Sequence, residues 1–401
     1  MSQASSFRGV PRNVFLLGVA SLFGDVASEM VVPLLPAFLI ALGGSAEALG
    51  IIEGVADAIA NLFKYVSGRW ADRARKLLPL AVVGYSIAGL VRPLLAFARV
   101  PWHVFGVRCT DRIGKGIRTS PRDKLLAASA DPTRLAEAYA FHRGMDHFGA
   151  AVGPLIAAAL LLVWPDRFRF VFALAAIPGA LAIAVLFAVR ETPARDSGDP
   201  GTSIPNGNRD PIQDGVAKAP GIPPRLLAAI FIFTLGNSTD TLLLLRAQGV
   251  GIRTALLPVL WTLLHVVRAA TSWPLGRAAD RFGRRRALAA GWLWYALCYV
   301  GFAAADASWQ AWVLFAAYGL VAGLTEGTER ALVAASVPQS VRGRALGTYN
   351  LISGAGLLLA SVAAGFLWDQ VSPGAALAAG AALATVAALL LQSQASARKA
   401  G

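Results

Sequence analysis

Ionisable side chains stand inside long apolar runs of this chain, where no water is at hand to carry their charge. Asp25 and Glu29, four residues apart, share one helix face. Arg108, Asp111, Arg112 and Lys115 recur at spacings of three, four and seven and form a single stripe. The stretch FHRGMDHFGA holds His142, Arg143, Asp146 and His147. Asn237 and Asp240 follow, then His265 and Arg268, then Glu326, Glu329 and Arg330 in GLTEGTERA. A further run carries Glu53, Asp57 and Lys64. Carboxylates and imidazoles that move between water, an apolar pocket and a nearby arginine change their proton affinity. The chemistry open to this set is therefore proton uptake and release tied to a change of surroundings. Asp25, Glu29 and Asp111 are the first candidates, with His142 and His265 behind them. A plainer reading has many of these groups simply pairing: Asp111 with Arg108 or Arg112, Asp146 with Arg143, and Glu326 with Arg330.

The elements that must position these groups follow from composition. Of 401 residues, 56% are hydrophobic and 15% charged. The mean hydropathy of +0.57 lies above that of a soluble globular chain. Twelve apolar stretches have spanning length, at 13–41, 47–67, 78–98, 101–123, 138–164, 168–189, 226–247, 253–275, 287–306, 309–333, 345–369 and 373–393. Their runs are continuous rather than alternating, so the expected fold class is all-α, a polytopic membrane protein of about twelve transmembrane helices. The net charge of +14 falls in short bursts between these stretches. That is the pattern of loop charge setting topology, not of a nucleic-acid surface. The bursts lie on one side, which predicts both termini in the cytoplasm and an inner-membrane address. The basic start and long first run predict a retained span, not a cleaved signal. The expected organisation is a tail over 1–12, a six-helix bundle over 13–189, a polar Pro/Gly-rich linker over 190–225, a second bundle over 226–393 and a tail over 394–401.

A repeat links the halves. SGRWADRARK at 67–76 matches LGRAADRFGRR from 275, with Gly68, Arg69, Asp72 and Arg73 against Gly276, Arg277, Asp280 and Arg281. Pro132 and Pro338 begin a second matched pair of segments. In its spacing G-x-x-x-D-R-x-G-R-R, the second copy (Gly276, Asp280, Arg281, Gly283, Arg284 and Arg285) resembles the loop signature of the major facilitator superfamily; the first copy has Arg75 at the second glycine. Arg108, Asp111, Gly114 and Gly116 resemble that family's helix-4 motif. Gly149, Gly153 and Pro154 resemble part of its helix-5 motif associated with antiporters, with Ala157 and Ala158 where a glycine pair is typical.

The resemblance implies two pseudo-symmetric bundles rocking about a central site. It further implies a latch in which Asp72 or Asp280 closes the cytoplasmic side, with Gly68, Arg73, Gly276, Arg281, Gly283 and Arg284 around them. Counting residues from each surface puts Asp25, Arg108, Asp111, Arg112, Asn237, Asp240 and His265 near mid-depth. Asp57, Arg143, Asp146, Arg268 and Glu326 are further cavity candidates, whereas Glu53 is expected near the outer surface. The expected function is proton-coupled export of a drug-like or metabolite solute by a monomer in contact with membrane lipids. Proton-linked uptake of a nutrient, organic anion or siderophore is the alternative, and a non-transporting sensor a minor one.

No enzyme chemistry is expected. A phosphate-binding G-x-x-x-x-G-K-S/T is absent from the sequence, so no direct use of ATP is expected. His142 and His147 are five apart, wrong for a one-face metal pair, and three methionines are too few for a thioether copper route. Cys109 and Cys298 sit far apart in apolar runs, so neither a disulfide framework nor a thiolate site is expected. No cofactor or metal is predicted.

Overall fold

The computed structural model describes residues 6–7, 10–130, 135–191, 221–337 and 342–397; Pro132, Pro338, most of the linker and the last four residues lie outside that set. A two-residue ribbon, β1 (Ser6–Phe7) against β2 (Val10–Pro11), precedes an otherwise helical chain. The first six passes are α1 (Arg12–Glu29) continued by α2 (Leu35–Ala41), then α3 (Ala46–Arg73), α4 (Leu78–Val91) with a 3-10 extension to Phe97, α5 (Pro101–Ser129), α6 (Leu135–Val163), and α7 (Phe168–Leu174) with α8 (Ala176–Leu186). The second six are α9 (Pro224–Gly236) with α10 (Asp240–Gly249), α11 (Leu257–Phe282), α12 (Arg284–Ala304), α13 (Ser308–Ala335), α14 (Arg342–Gln370) and α15 (Pro373–Ala397).

Among the described residues, nine passes are long and apolar enough to cross a membrane by themselves. The three that fall short, α3, α5 and α13, all carry embedded charges. Their polarity is tolerable only because they face protein or a cavity.

Among the broken passes, the first and the seventh have their break beside an ionisable group that the sequence singled out. Between α1 and α2, Pro33 and Pro36 withhold backbone donors, so the helix tightens into a 3-10 turn at Val32–Leu34 just past Glu29. Between α9 and α10 the chain leaves helical geometry at Asn237, φ −93° and ψ 77°. The backbone groups exposed there find partners inside the protein, as hydrocarbon requires. Thr239 N–H donates to Ser361 Oγ at 3.1 Å, and the Tyr295 hydroxyl donates to the Gly236 carbonyl at 2.8 Å. Asp240 then opens α10 behind Thr239, whose hydroxyl accepts from Thr241 N–H.

In the first half α1 packs on α6 and α8, and α5 on α3 and α4; in the second, α12 packs on α13 and α15, and α11 on α13. The two bundles meet through α3 with α14 and α6 with α11. The second and eleventh passes and the fifth and eighth thus form the seam, each first-half pass facing one from the other repeat.

Candidate functional site

The stripe on α5 is the spine of a buried ionic network. Arg108 clamps Glu53 of α3 with both arms of its guanidinium, Nε to Oε1 at 2.8 Å and Nη2 to Oε2 at 2.6 Å. Arg92, at the end of α4, donates to Asp111 Oδ1 at 2.7 Å and to the Gly24 carbonyl at 3.0 Å. Arg108 reaches the other Asp111 oxygen at 3.4 Å. One turn on, Arg112 lies 3.3 Å from Asp57. Arg118 approaches Asp25 at 3.5 Å and stacks over the Tyr85 ring, 4.2 Å from its centroid.

This geometry corrects one expectation. Glu53 is 2% exposed, not at a surface. Counted alone it is seven residues into its helix, about 10 Å of rise, which reads as interfacial. Arg108 is also seven residues into α5, entered from the same face, so the two meet at one depth and bury each other. Two network members were missed. Arg92 precedes Pro93 at the end of a span and reads as a loop charge. Arg118 extends the α5 stripe by three from Lys115, a spacing that could have revealed it.

The seam between bundles holds a second set. Glu29 accepts a hydrogen bond from Trp261 Nε1 of α11 at 2.8 Å, and His265 lies edge-on to that indole at 5.1 Å. Thr262 donates to the Ala151 carbonyl of α6 at 3.3 Å. Toward the face away from the chain ends, the Asp369 carboxylate accepts from Ala46 and Glu47 N–H at 3.2 and 2.6 Å, capping α3 from the other bundle. Gly149 and Gly153 bring α6 directly onto α1. A Cβ at Gly149 would lie 2.5 Å from the Leu22 carbonyl and 3.2 Å from Asp25 Cβ; one at Gly153 would lie 2.6 Å from the Val26 carbonyl and 3.1 Å from Glu29 Cβ. Pro154 follows within α6. Asp146 meets His142, Nδ1 to Oδ2 at 3.5 Å, rather than Arg143, which is exposed.

Across the seam, among the described residues, the second half offers one ion pair at mid-depth. Asp240 accepts from Arg268 at 2.8 Å and from the Tyr318 hydroxyl at 2.6 Å. Asn237 occupies the helix break. Glu329 is buried and accepts from Trp292 Nε1 at 3.0 Å and Tyr349 hydroxyl at 2.8 Å, while Glu326 is exposed.

Toward the face that carries the chain ends, Lys64, Arg143, His147, Glu326, Arg330 and Asn350 are all exposed. Charged groups at that depth face water in a cavity, not lipid. At the opposite face Asp369 ties the two bundles together. Of the expected latch, Gly283 turns α11 into α12 at φ +97°, a left-handed conformation that favours glycine, while Arg73, Arg281 and Arg284 are exposed. Gly68 has only Ser120 of its own bundle near its Cβ position, and Gly276 has open space there. The side chains of Asp72, Arg277 and Asp280 lie outside the described residues. Among the described residues, no three His, Cys, Asp or Glu side chains converge as a metal site would require.

The profile of the Major Facilitator Superfamily matches residues 17–270 and 226–399. The chain belongs to the major facilitator superfamily. An uncharacterized MFS-type transporter of Methanocaldococcus jannaschii is 30% identical over 390 residues, 96% of this chain and 95% of that one. A protein of Mycobacterium tuberculosis is 28% identical over 368 residues, 89% of this chain and 87% of the relative. Among solved structures, a bacterial homologue of the human lysosomal transporter Spinster, inward-facing and unoccupied, superposes with a TM-score of 0.72 at 16% identity, over 95% of this chain and 94% of that one. A POT peptide transporter bound to alafosfalin reaches 0.77 at 14% identity over 98% and 96%, and the nucleoside transporter NupG 0.76 at 13% over 95% and 99%. At those identities the likeness is one of fold. Membership in the superfamily makes this an integral membrane transporter of small solutes and not an enzyme.

Proposed function

We propose that the protein is a proton-coupled secondary transporter that exports a small organic metabolite or drug-like compound in exchange for protons. Arginine-rich loops on the chain-end side support cytoplasmic termini, an inner-membrane address and an inward-open arrangement here. One observation carries the reading: Glu29 belongs to one bundle and its hydrogen-bond donor, Trp261, to the other. Rocking the bundles apart strips the carboxylate of that donor, so proton binding and bundle position bias one another. Asp25 shares the helix face and trades between Arg118 and solvent, while Asp111, clamped by two arginines, holds the scaffold. The export direction is supported by the resemblance of Gly149, Gly153 and Pro154 to part of the family's antiporter-associated helix-5 motif, and the two glycines also press α6 against the Cβ atoms of Asp25 and Glu29.

The coupling is tested without knowing the cargo. A cysteine replaces Asn350, exposed in the open cavity, in a background carrying Cys109→Ala and Cys298→Ala. With each rate divided by that of the same cysteine in the unfolded protein at the same pH, which removes the thiolate's own titration, labelling in membranes should still vary with pH, and Asp25→Asn with Glu29→Gln should abolish that remaining variation. A parent whose corrected labelling ignores pH overturns proton coupling.

A further inference from the structure

The acidic groups around the cavity are largely taken, and several of the basic ones are not. Asp57, Asp25 and Asp240 each face an arginine, Glu53 and Asp111 face two, and Glu29 and Glu329 accept from indole or phenol donors of the protein itself. The Lys115 ammonium makes no hydrogen bond or ion pair with any described residue, its backbone carbonyl alone accepting from the Thr119 hydroxyl, although it lies at mid-depth on α5 with Asp25 and Glu29 as its acidic neighbours and Arg112 and Arg118 as its basic ones. Arg143 and Arg330 side chains are likewise without a bonded partner among the described residues, and the Lys64 ammonium bonds the neutral Asn61 Oδ1 at 3.2 Å. Arg143 and Arg330 are like-charged neighbours of Lys64, with Asp57 its acidic one. Among the described residues, the carboxyl groups near these donors without an arginine, indole or phenol partner are Glu326, exposed, and Asp146, whose Oδ1 has no hydrogen-bond partner.

A cation at this depth is costly until something neutralises it. A cavity rich in unmatched N–H donors is completed by a ligand made of acceptors. We propose that the cargo is a small organic anion whose carboxylate or phosphate is received by Lys115, after passing Lys64, Arg143 and Arg330. The inference rests on the transport reading but not on its direction. Lys115 is then the specificity-determining residue, and the arginines of the network, each held by a carboxylate, are its fixed surroundings.

Thermal unfolding of the full chain in detergent tests this with citrate, inorganic phosphate and glucose 6-phosphate as oxyanion probes, against glucose and tetraphenylphosphonium. At least one oxyanion should raise the melting temperature in proportion to occupancy, and the neutral and cationic probes should not. Lys115→Gln should weaken that oxyanion by roughly 10- to 100-fold, the value of one charged hydrogen bond, and Lys115→Arg should restore most of it. Without any probe, Lys115→Gln should leave the melting temperature unchanged or raised, because an unmatched charge is removed. Stabilisation by tetraphenylphosphonium alone, no oxyanion effect, or an equal oxyanion effect in Lys115→Gln overturns the proposal. A marked loss of probe-free stability in that variant also overturns it, by showing that the lysine is structurally matched. None of these outcomes touches the pH-dependent labelling at position 350, so the transport reading stands or falls separately.

Discussion

The two bundles share a fold and a repeat but fill their interiors with different chemistry. In the first, α4 and α5 deliver Arg92, Arg108, Arg112 and Arg118 to carboxylates of α1, α3 and α5. In the second, an aromatic stack occupies the equivalent space. Phe233 stacks on Trp292 at 4.8 Å, Tyr295 on Tyr299 at 4.1 Å, and Phe302 meets Phe315 edge-on at 5.3 Å, with the Asp240–Arg268 pair beside them. Aromatic packing tolerates small shifts at modest cost, whereas a buried ion pair has one good geometry and a large penalty once broken. The contrast assigns rigidity and charge to the first bundle and a hydrophobic, hydrogen-bonding wall to the second.

The largest blow to this contrast should come from Arg108→Gln, which strands Glu53 in the interior; thermal unfolding in detergent should register a loss of about 3–5 kcal/mol. Replacing both partners, Arg108→Met with Glu53→Leu, sharpens the comparison. If the pair serves the site rather than stability, the double variant should recover most of that loss while transport stays abolished. In the second bundle Tyr318→Phe removes one donor from Asp240 and should cost about 1–3 kcal/mol, clearly less than the ionic lesion. Arg73→Gln, on the exposed end of α3, should stay within roughly 0.5 kcal/mol by the same measurement and so mark the baseline of a surface charge. If Tyr318→Phe proves as damaging as Arg108→Gln, the division of labour between the bundles is wrong.

Much of the architecture was legible in the chain. Apolar run length and the repeat of Gly68–Arg73 in Gly276–Arg281 announce two halves of membrane-crossing helices, because a helix must span a fixed hydrocarbon thickness and satisfy its own backbone. Ionisable residues within spans were equally visible, since any charge among leucines and alanines stands out. Their partners were less so. The expected Asp111–Arg108 contact is present at 3.4 Å, but the shorter one is to Arg92, nineteen residues away on another helix. Asp146 turns to His142 four residues back instead of to adjacent-turn Arg143. Glu53 was misplaced because depth was counted along one helix, when burial depended on what another helix brought to the same level.

By itself, then, the sequence determined that this protein lies in the membrane as helices, in two related halves, with charge embedded in α3, α5 and α13. Those are properties of a segment and its solvent, and a segment carries them wherever it is placed. Only the tertiary structure decided that Arg108 belongs to Glu53, that Asp369 caps the opposite bundle, that Trp261 holds Glu29 across the seam and that the Lys115 ammonium has no bonded partner among the described residues. A partner is chosen by depth and by which helices are neighbours, and spacing along a single helix encodes neither.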